Sequence, residues 1–144
     1  MKSDAVSSAL FYAKGKCSYF GGPDDMGVDV DESLAFHYEI TPENQHLFLP
    51  LDQGTDLARR LNPHIRYLAC RWNYDVTSKS MLANSGQVAL VRALKTGRAF
   101  TAFPADWGPA STTNRVTDLS PGLLADLGIA TDDEVEVIYP WKEE

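Results

Sequence analysis

Short segments in which apolar and polar residues alternate dominate this chain, and glycines and prolines separate them. Alternation with a period of two is the pattern of a strand with one buried face. It covers residues 34–40, the segments 87–94 and 98–103 on either side of the turn Lys95-Thr96-Gly97, and residues 134–139. Strands are also predicted over residues 11–20 and 64–74. About six short strands favour a compact, mostly-β barrel over a sheet built from βαβ units.

One helix is marked at both of its ends. Ser120 is a good N-cap, Pro121 suits the first helical position, and Gly128 can take the left-handed conformation after the last turn. The sequence therefore predicts a short helix over residues 121–127. One or two further helical turns are predicted over residues 54–61, before Asn62-Pro63.

Length and composition indicate one globular domain. The chain has 144 residues, of which 44% are hydrophobic and 23% are charged, and this rules out a disordered chain. We expect residues 1–10 to be a loose N-terminal segment and residues 11–144 to form a single domain.

The charge balance disfavours nucleic acid as a partner. Twenty acidic residues face thirteen basic ones, and no basic run exceeds Arg59-Arg60. No stretch approaches the roughly 18 apolar residues of a membrane span, and residues 1–10 do not read as a signal peptide. We expect the cell envelope or the extracellular space if the chain is delivered there or is a mature form, and the cytoplasm otherwise.

Common catalytic and metal-binding motifs are absent. The chain lacks the glycine signatures of dinucleotide-binding, P-loop and α/β-hydrolase proteins. His37, His46 and His64 have no metal-ligand spacing, so neither a metal nor a cofactor is predicted. Cys17 and Cys70 can form one disulfide or remain buried thiols, and the thiol interpretation is favoured.

The most distinctive segment covers residues 103–128. It reads Phe-Pro-Ala-Asp-Trp-Gly-Pro and, after a polar loop, Arg-x-x-Asp-Leu-Ser, which leads into the capped helix. This segment resembles the double-psi β-barrel domain of the rare lipoprotein A family, whose relatives include expansins, family 45 endoglucanases and barwin-like proteins. The family pattern is an Asn-Asp-Arg-Gly-Pro turn, then Arg-x-x-Asp-Leu-Ser and a helix ending in Leu-Gly.

The resemblance covers residues 81–140, where residues 81–93 match a family strand, and more loosely residues 11–22. Residues 23–80 have no counterpart. It implies a six-stranded double-psi barrel with one or two short helices and an elaborated N-terminal half. Two departures lie in the turn, where Ala105 and Trp107 replace the family's Asn and Arg.

The resemblance also implies a site. Asp106 matches the family's essential acid, so it is expected to protonate a glycosidic oxygen in polysaccharide such as the glycan strands of peptidoglycan. A hydrolase needs a second carboxylate as well. Asp24 or Asp25 is preferred over Asp29 and Asp31, in an acidic loop that is expected to help hold the proton on Asp106.

Other residues receive subsidiary roles. Trp107 and Tyr19 are expected to stack on sugar rings or to pack in the core or at its rim. Asp118 is expected to be structural, bonded to turn amides and paired with Arg115.

Two functions follow from this resemblance. The first is a glycan-cleaving domain, either a lytic transglycosylase or a glycoside hydrolase, with Asp106 as general acid. The second is a non-catalytic barrel that binds carbohydrate or a protein partner, as the expansin and barwin relatives do.

Overall fold

Six strands of the chain close into a barrel. The computed structural model describes residues 9–21, 28–29, 36, 41–48, 57–59 and 61–142. The barrel order is β1-β7-β4-β6-β5-β8, and β8 returns to β1. The predicted fold class, a mostly-β six-stranded double-psi barrel, is confirmed.

The described elements follow one another as strands with two short helices among them. In chain order they are β1 (Phe11–Tyr19), β2 (Val28–Asp29), β3 (Leu57–Arg59), β4 (Tyr67–Cys70), α1 (Lys79–Asn84), β5 (Ala89–Ala93), β6 (Ala99–Trp107), β7 (Thr117–Leu119), α2 (Pro121–Leu127) and β8 (Glu134–Tyr139). Single 3-10 turns cover Gln45–Leu47 and Ser111–Thr113. Strands β2 and β3 form a separate two-stranded sheet.

The barrel mixes parallel and antiparallel pairs. β1 runs parallel to β7, and β4 runs parallel to β6. β4 is antiparallel to its other neighbour, β7. β4 therefore lies between β6 and β7, and all four of its residues are buried.

Two groups of buried side chains lie on opposite faces of β4. Leu68 and Cys70 belong to the main core inside the barrel, as do Leu119, Val135 and Val137. Tyr67 belongs to a second cluster that packs residues 47, 48 and 61 against Ala105. Because neighbouring strand residues point to opposite faces, this second cluster lies against the outer face of the barrel.

Three predicted elements are confirmed with little change. The hairpin joins β5 to β6 through a turn in which Gly97 has a positive φ of 75°. Helix α2 begins after Ser120, whose Oγ accepts a hydrogen bond from Leu123 N at 3.1 Å, and ends at Gly128 with φ 71°. The closing strand spans Glu134–Tyr139 as predicted.

Other sequence predictions require correction. Residues 57–59 form strand β3, so the helical turns predicted over residues 54–61 are wrong there. Pairing with the distant β2 overrides the local preference. The run predicted over residues 64–74 contains only the four-residue strand β4. Helix α1 occupies the start of residues 81–93, which were matched to a family strand.

The predicted strand over residues 34–40 falls mostly outside the described residues. The one residue described there, Phe36, is in a turn and is buried. The proposed division into residues 1–10 and 11–144 remains a prediction.

The two cysteines are buried free thiols. They lie on β1 and β4, opposite Thr117 of the intervening strand β7. Two strand spacings put their backbones about 9.5 Å apart, beyond the reach of a disulfide. The thiol interpretation is therefore confirmed.

Candidate functional site

A bulge in β6 determines where Asp106 lies. Leu68 pairs with Pro104, but the next residue of β4, Ala69, pairs with Asp106, so Ala105 is an extra residue. In a regular pairing, Ala105 would lie opposite Ala69 and Asp106 would lie opposite the core residue Cys70. A shift of one residue exchanges the two faces of a strand, so the bulge brings Asp106 to the outer face.

A second carboxylate lies in the same cross-strand row. Ala69 pairs with Asp118 of β7 on its other side. Residues directly opposite each other share a face, so Asp106 and Asp118 flank Ala69 on the outer surface. Two strand spacings separate their backbones by about 9.5 Å. Sequence reasoning missed this because Ala69 lies in the region without a family counterpart.

The charge of Asp118 influences the protonation of Asp106. Burial, opposed by a hydrogen bond from Trp107 N and reinforced by the negative charge of Asp118, raises the pKa of Asp106 to about 6. Burial also raises the pKa of Asp118, but the positive charge of Arg115 opposes this rise. The pKa of both carboxyl groups is therefore raised, and a positive charge limits the rise only at Asp118.

The structural role predicted for Asp118 is wrong in its contacts. Arg115 forms its ion pair with Asp132, at 2.9 Å between Nε and Oδ1. The turn amides bond elsewhere, because Val116 N donates to Lys16 O and Ser120 N donates to Tyr67 O. Arg115 acts on Asp118 only as a nearby positive charge.

Two tryptophans hold the backbone around Asp106. Trp72 Nε1 donates to Asp106 O at 3.0 Å, and Trp107 Nε1 donates to Trp72 O at 3.0 Å. Trp72 is buried between Phe11 and Tyr139. Trp107 is the last residue of β6 and remains 45% exposed, so a fixed indole ring faces solvent at the end of this strand.

Tyr19 lies at the opposite end of this sheet from Trp107. It ends β1 opposite Leu119 and is 53% exposed. Three strand spacings and two residue rises separate the two aromatic residues by roughly 16 Å. They do not form one platform, and the row containing both carboxylates crosses between them.

The second carboxylates expected in the acidic loop stay a prediction. Asp24, Asp25 and Asp31 lie outside the described residues, and Asp29 is described only as part of strand β2.

The described residues contain neither a metal-ligand cluster nor a membrane-spanning helix. Within these ranges, no group of three or more His, Cys, Asp or Glu side chains is arranged to hold a metal ion. None of the helices in the described part combines the length and apolar character needed to cross a bilayer.

Comparisons with known proteins assign this chain to no family. No protein-family model matches the chain, and no curated protein matches it. Among solved structures it is similar to Streptomyces papain inhibitor (SPI), with 15% identity over 91% of this chain and 96% of that chain and a TM-score of 0.49. Likeness at this level shows nothing about ligands. Membership in the rare lipoprotein A family therefore stays a prediction from motifs.

Proposed function

We propose that this barrel cleaves a polysaccharide, with Asp106 as general acid and Asp118 as the second carboxylate. The observation that supports this most is their common partner, Ala69, which puts both carboxylates in one outward row. Asp118 replaces Asp24 and Asp25 as the preferred second group.

The two roles follow from the electrostatics. Asp106 Oδ1 accepts the Trp107 N–H at 2.7 Å, which leaves Oδ2 to carry a proton. With its pKa raised to about 6, Asp106 keeps that proton in mildly acidic solution. Burial raises the pKa of Asp118, the group assigned as general base, and the positive charge of Arg115 limits this rise.

The separation favours hydrolysis with inversion. Inverting glycosidases hold their carboxyl groups about 6.5 to 9.5 Å apart, whereas retaining enzymes need about 5 to 5.5 Å. The backbones are about 9.5 Å apart and both side chains leave the same face, so the carboxyl groups are expected to fall in the wider class. Asp118 takes a proton from water, whose oxygen bonds to the anomeric carbon. The glycosidic bond breaks, and its oxygen receives the proton of Asp106.

Trp107 supplies the apolar surface that sugar binding requires. Its ring is exposed at the end of β6, one residue after Asp106, and is held by its hydrogen bond to Trp72 O. A rigid indole loses little freedom when a sugar ring stacks on it.

Purified peptidoglycan sacculi provide the test. We expect the wild-type chain to release soluble sugar fragments that have gained a water, and Asp106→Asn to release them at least about a hundredfold more slowly. Asp118→Asn should be similarly impaired, whereas Asp75→Asn, which alters an exposed carboxyl, should keep full activity.

Two results would count against this proposal. Wild-type protein that releases nothing would exclude cleavage of this polymer. Fragments ending in an anhydro sugar, released at full rate by Asp118→Asn, would show a lytic transglycosylase with Asp106 as its only acid.

Carbohydrate binding without cleavage is the second candidate function. The hydrogen bond from Trp107 N to Asp106 Oδ1 favours this second candidate. It stabilises the ionised carboxylate, whereas a general acid must hold a proton. In that case wild-type protein and Asp106→Asn would both sediment with sacculi, and Trp107→Ala would weaken this binding.

A further inference from the structure

Arg71 binds both ends of the loop that joins the strand of Asp106 to the strand of Asp118. Its Nη1 donates to Pro109 O and to Arg115 O, each at 2.8 Å. Pro109 follows Asp106 by three residues. Arg115 precedes Asp118 by three residues. A single guanidinium nitrogen therefore draws the two ends of this loop together.

These two hydrogen bonds lie where the sheet ends. The pairing of β4 with β6 and with β7 stops at Cys70, one residue beyond the row that contains both carboxylates. Strands β6 and β7 are not neighbours in the barrel, since β4 separates them. The ends of paired strands open more readily than their centres. A donor that binds both chains just past the last pair therefore stabilises the carboxylate row.

The same loop carries a positive charge that acts on Asp118. Burial raises the pKa of Asp118, and the positive charge of Arg115 limits this rise. The Arg115 side chain is paired with Asp132 at 2.9 Å, but both groups are partly exposed, and such pairs hold a side chain weakly. The place of Arg115 therefore depends on its backbone, whose carbonyl oxygen Arg71 binds.

We propose that Arg71 is a positioning residue of the carboxylate site, which keeps Arg115 in the place where its charge acts on Asp118. Arg71 acts through the loop backbone and not on the substrate. This inference rests on the proposed function, since Asp118 is the group assigned there as general base.

Other charged groups surround Asp118 and its partner Arg115. They come from β1, β4, β6 and the turn before β8, and they are Lys16, Arg71, Asp106, Asp132 and Asp133. Replacing Arg71 removes one of these charges as well as two hydrogen bonds. A test must therefore separate the direct effect of the charge from the effect of the loop position.

A double-mutant cycle in the full-length chain makes this separation, with carbon-13 NMR titration of the carboxyl groups as the measurement. Arg71→Met should raise the pKa of Asp118 by at least about half of the rise that Arg115→Ala causes. Added to Arg115→Ala, Arg71→Met should raise it no further, because its effect passes through Arg115. Arg71→Lys keeps the charge and can donate to both carbonyls, so Asp118 should titrate in it as in the wild type.

Arg98→Met is the matched control. Arg98 Nη1 also donates to a backbone carbonyl, that of Asp126 in α2, at 3.3 Å. This variant should leave the titration of Asp118 unchanged, whatever its effect on the melting temperature.

Two results would overturn the positioning role. Equal shifts from Arg71→Met with and without Arg115 would show a direct effect of charge. A folded Arg71→Met that lowers the melting temperature but leaves the Asp118 titration unchanged would show a structural role alone. If Arg71→Met does not fold, Arg71→Gln replaces it with the same expected result, because the glutamine amide is too short to reach both carbonyls.

The titration uses no substrate, so its outcome is independent of the proposed function. The expected shifts in a chain that releases nothing from sacculi would reject the catalytic role alone. Release that depends on Asp106 and Asp118, together with an Asp118 titration that Arg71→Met leaves unchanged, would reject the positioning role alone.

Discussion

Asp106 and Asp118 lie opposite the same residue, Ala69, on the two strands that flank β4. The position of each carboxylate opposite Ala69 depends on how its strand pairs with β4. The extra residue in β6 turns Asp106 outward, and the antiparallel pairing of β7 brings Asp118 to the same row. The register of the strands therefore brings the two carboxylates together. The effect of one carboxylate on the pKa of the other can be tested separately from any catalytic activity.

The first prediction concerns stability and pH. The pKa of Asp106 is about 6 in the folded chain against 3.8 as its ordinary value, so the folded state binds more protons between these values. Stability should therefore fall as pH rises from about 4 to about 6. Asp106→Asn cannot ionise, so it should be more stable than wild type at pH 7, by roughly 1 to 3 kcal/mol, and nearly equal at pH 3.5. Urea unfolding at both pH values measures this difference.

Asp75→Asn provides the matched control, since Asp75 is exposed. It should change stability little at either pH. If Asp106→Asn were no more stable than wild type at pH 7, the ionised carboxyl would be free of the burial cost assigned to it.

Local signals explain what could be predicted of the fold. Gly97 with its positive φ, the Ser120 cap and the alternation of β8 are each contained within a few neighbouring residues. Strand β3 was missed because its partner β2 lies about thirty residues away, and no local pattern reports such a pairing. The sequence did contain a signal for helix α1, because Ser78 is a good N-cap residue and its Oγ accepts a hydrogen bond from Met81 N. The signal was missed because residues 81–93 were matched to a family strand.

The site was only half predictable for the same reason. The motif around Asp106 indicated this carboxyl as the expected acid, and Trp107, which was expected either to stack on sugar rings or to pack, is 45% exposed. The bulge at Ala105 depends on how β6 meets β4, which only the three-dimensional pairing reveals. Asp118 was therefore interpreted as structural. It is twelve residues after Asp106 in the chain, but both residues pair with Ala69 in the sheet.

The second prediction concerns Gly122 in α2. A Cβ at this position would lie 2.7 Å from Pro63 O, a backbone atom that also accepts the Gly122 N–H. Gly122→Ala should therefore destabilise the chain by roughly 1 to 3 kcal/mol, although alanine normally favours a helix by about 1 kcal/mol. Thermal unfolding measures this. A stabilised variant would show that the contact between α2 and Pro63 is looser than described.

The third prediction compares the two tryptophans. Trp107→Phe removes one hydrogen bond from a half-exposed side chain and should cost about 1 kcal/mol. Trp72→Phe removes the bond to Asp106 O and also leaves a void between Phe11 and Tyr139, so it should cost roughly 2 to 4 kcal/mol. Urea unfolding ranks the two variants. A larger loss for Trp107→Phe would contradict the assignment of Trp72 as the buried anchor.

The fourth prediction concerns the thiols. Burial raises the pKa of Cys17 to about 11 and that of Cys70 to about 12, so little thiolate forms at neutral pH. Ellman's reagent should modify neither cysteine in the native chain within the time that it modifies both in guanidinium. Rapid modification of the native protein would show that the barrel interior opens readily.

The last prediction tests the coupling between the two carboxylates without any substrate. The negative charge of Asp118 is one cause of the raised pKa of Asp106, so Asp118→Asn should lower that pKa. Arg115→Ala should act in the opposite direction on Asp118, raising its pKa, because Arg115 now opposes the effect of burial. Carbon-13 NMR titration of the carboxyl groups measures both shifts. An Asp106 titration that is unchanged by Asp118→Asn would mean that the two groups do not sense each other across Ala69, and the division into acid and base would then have no electrostatic basis.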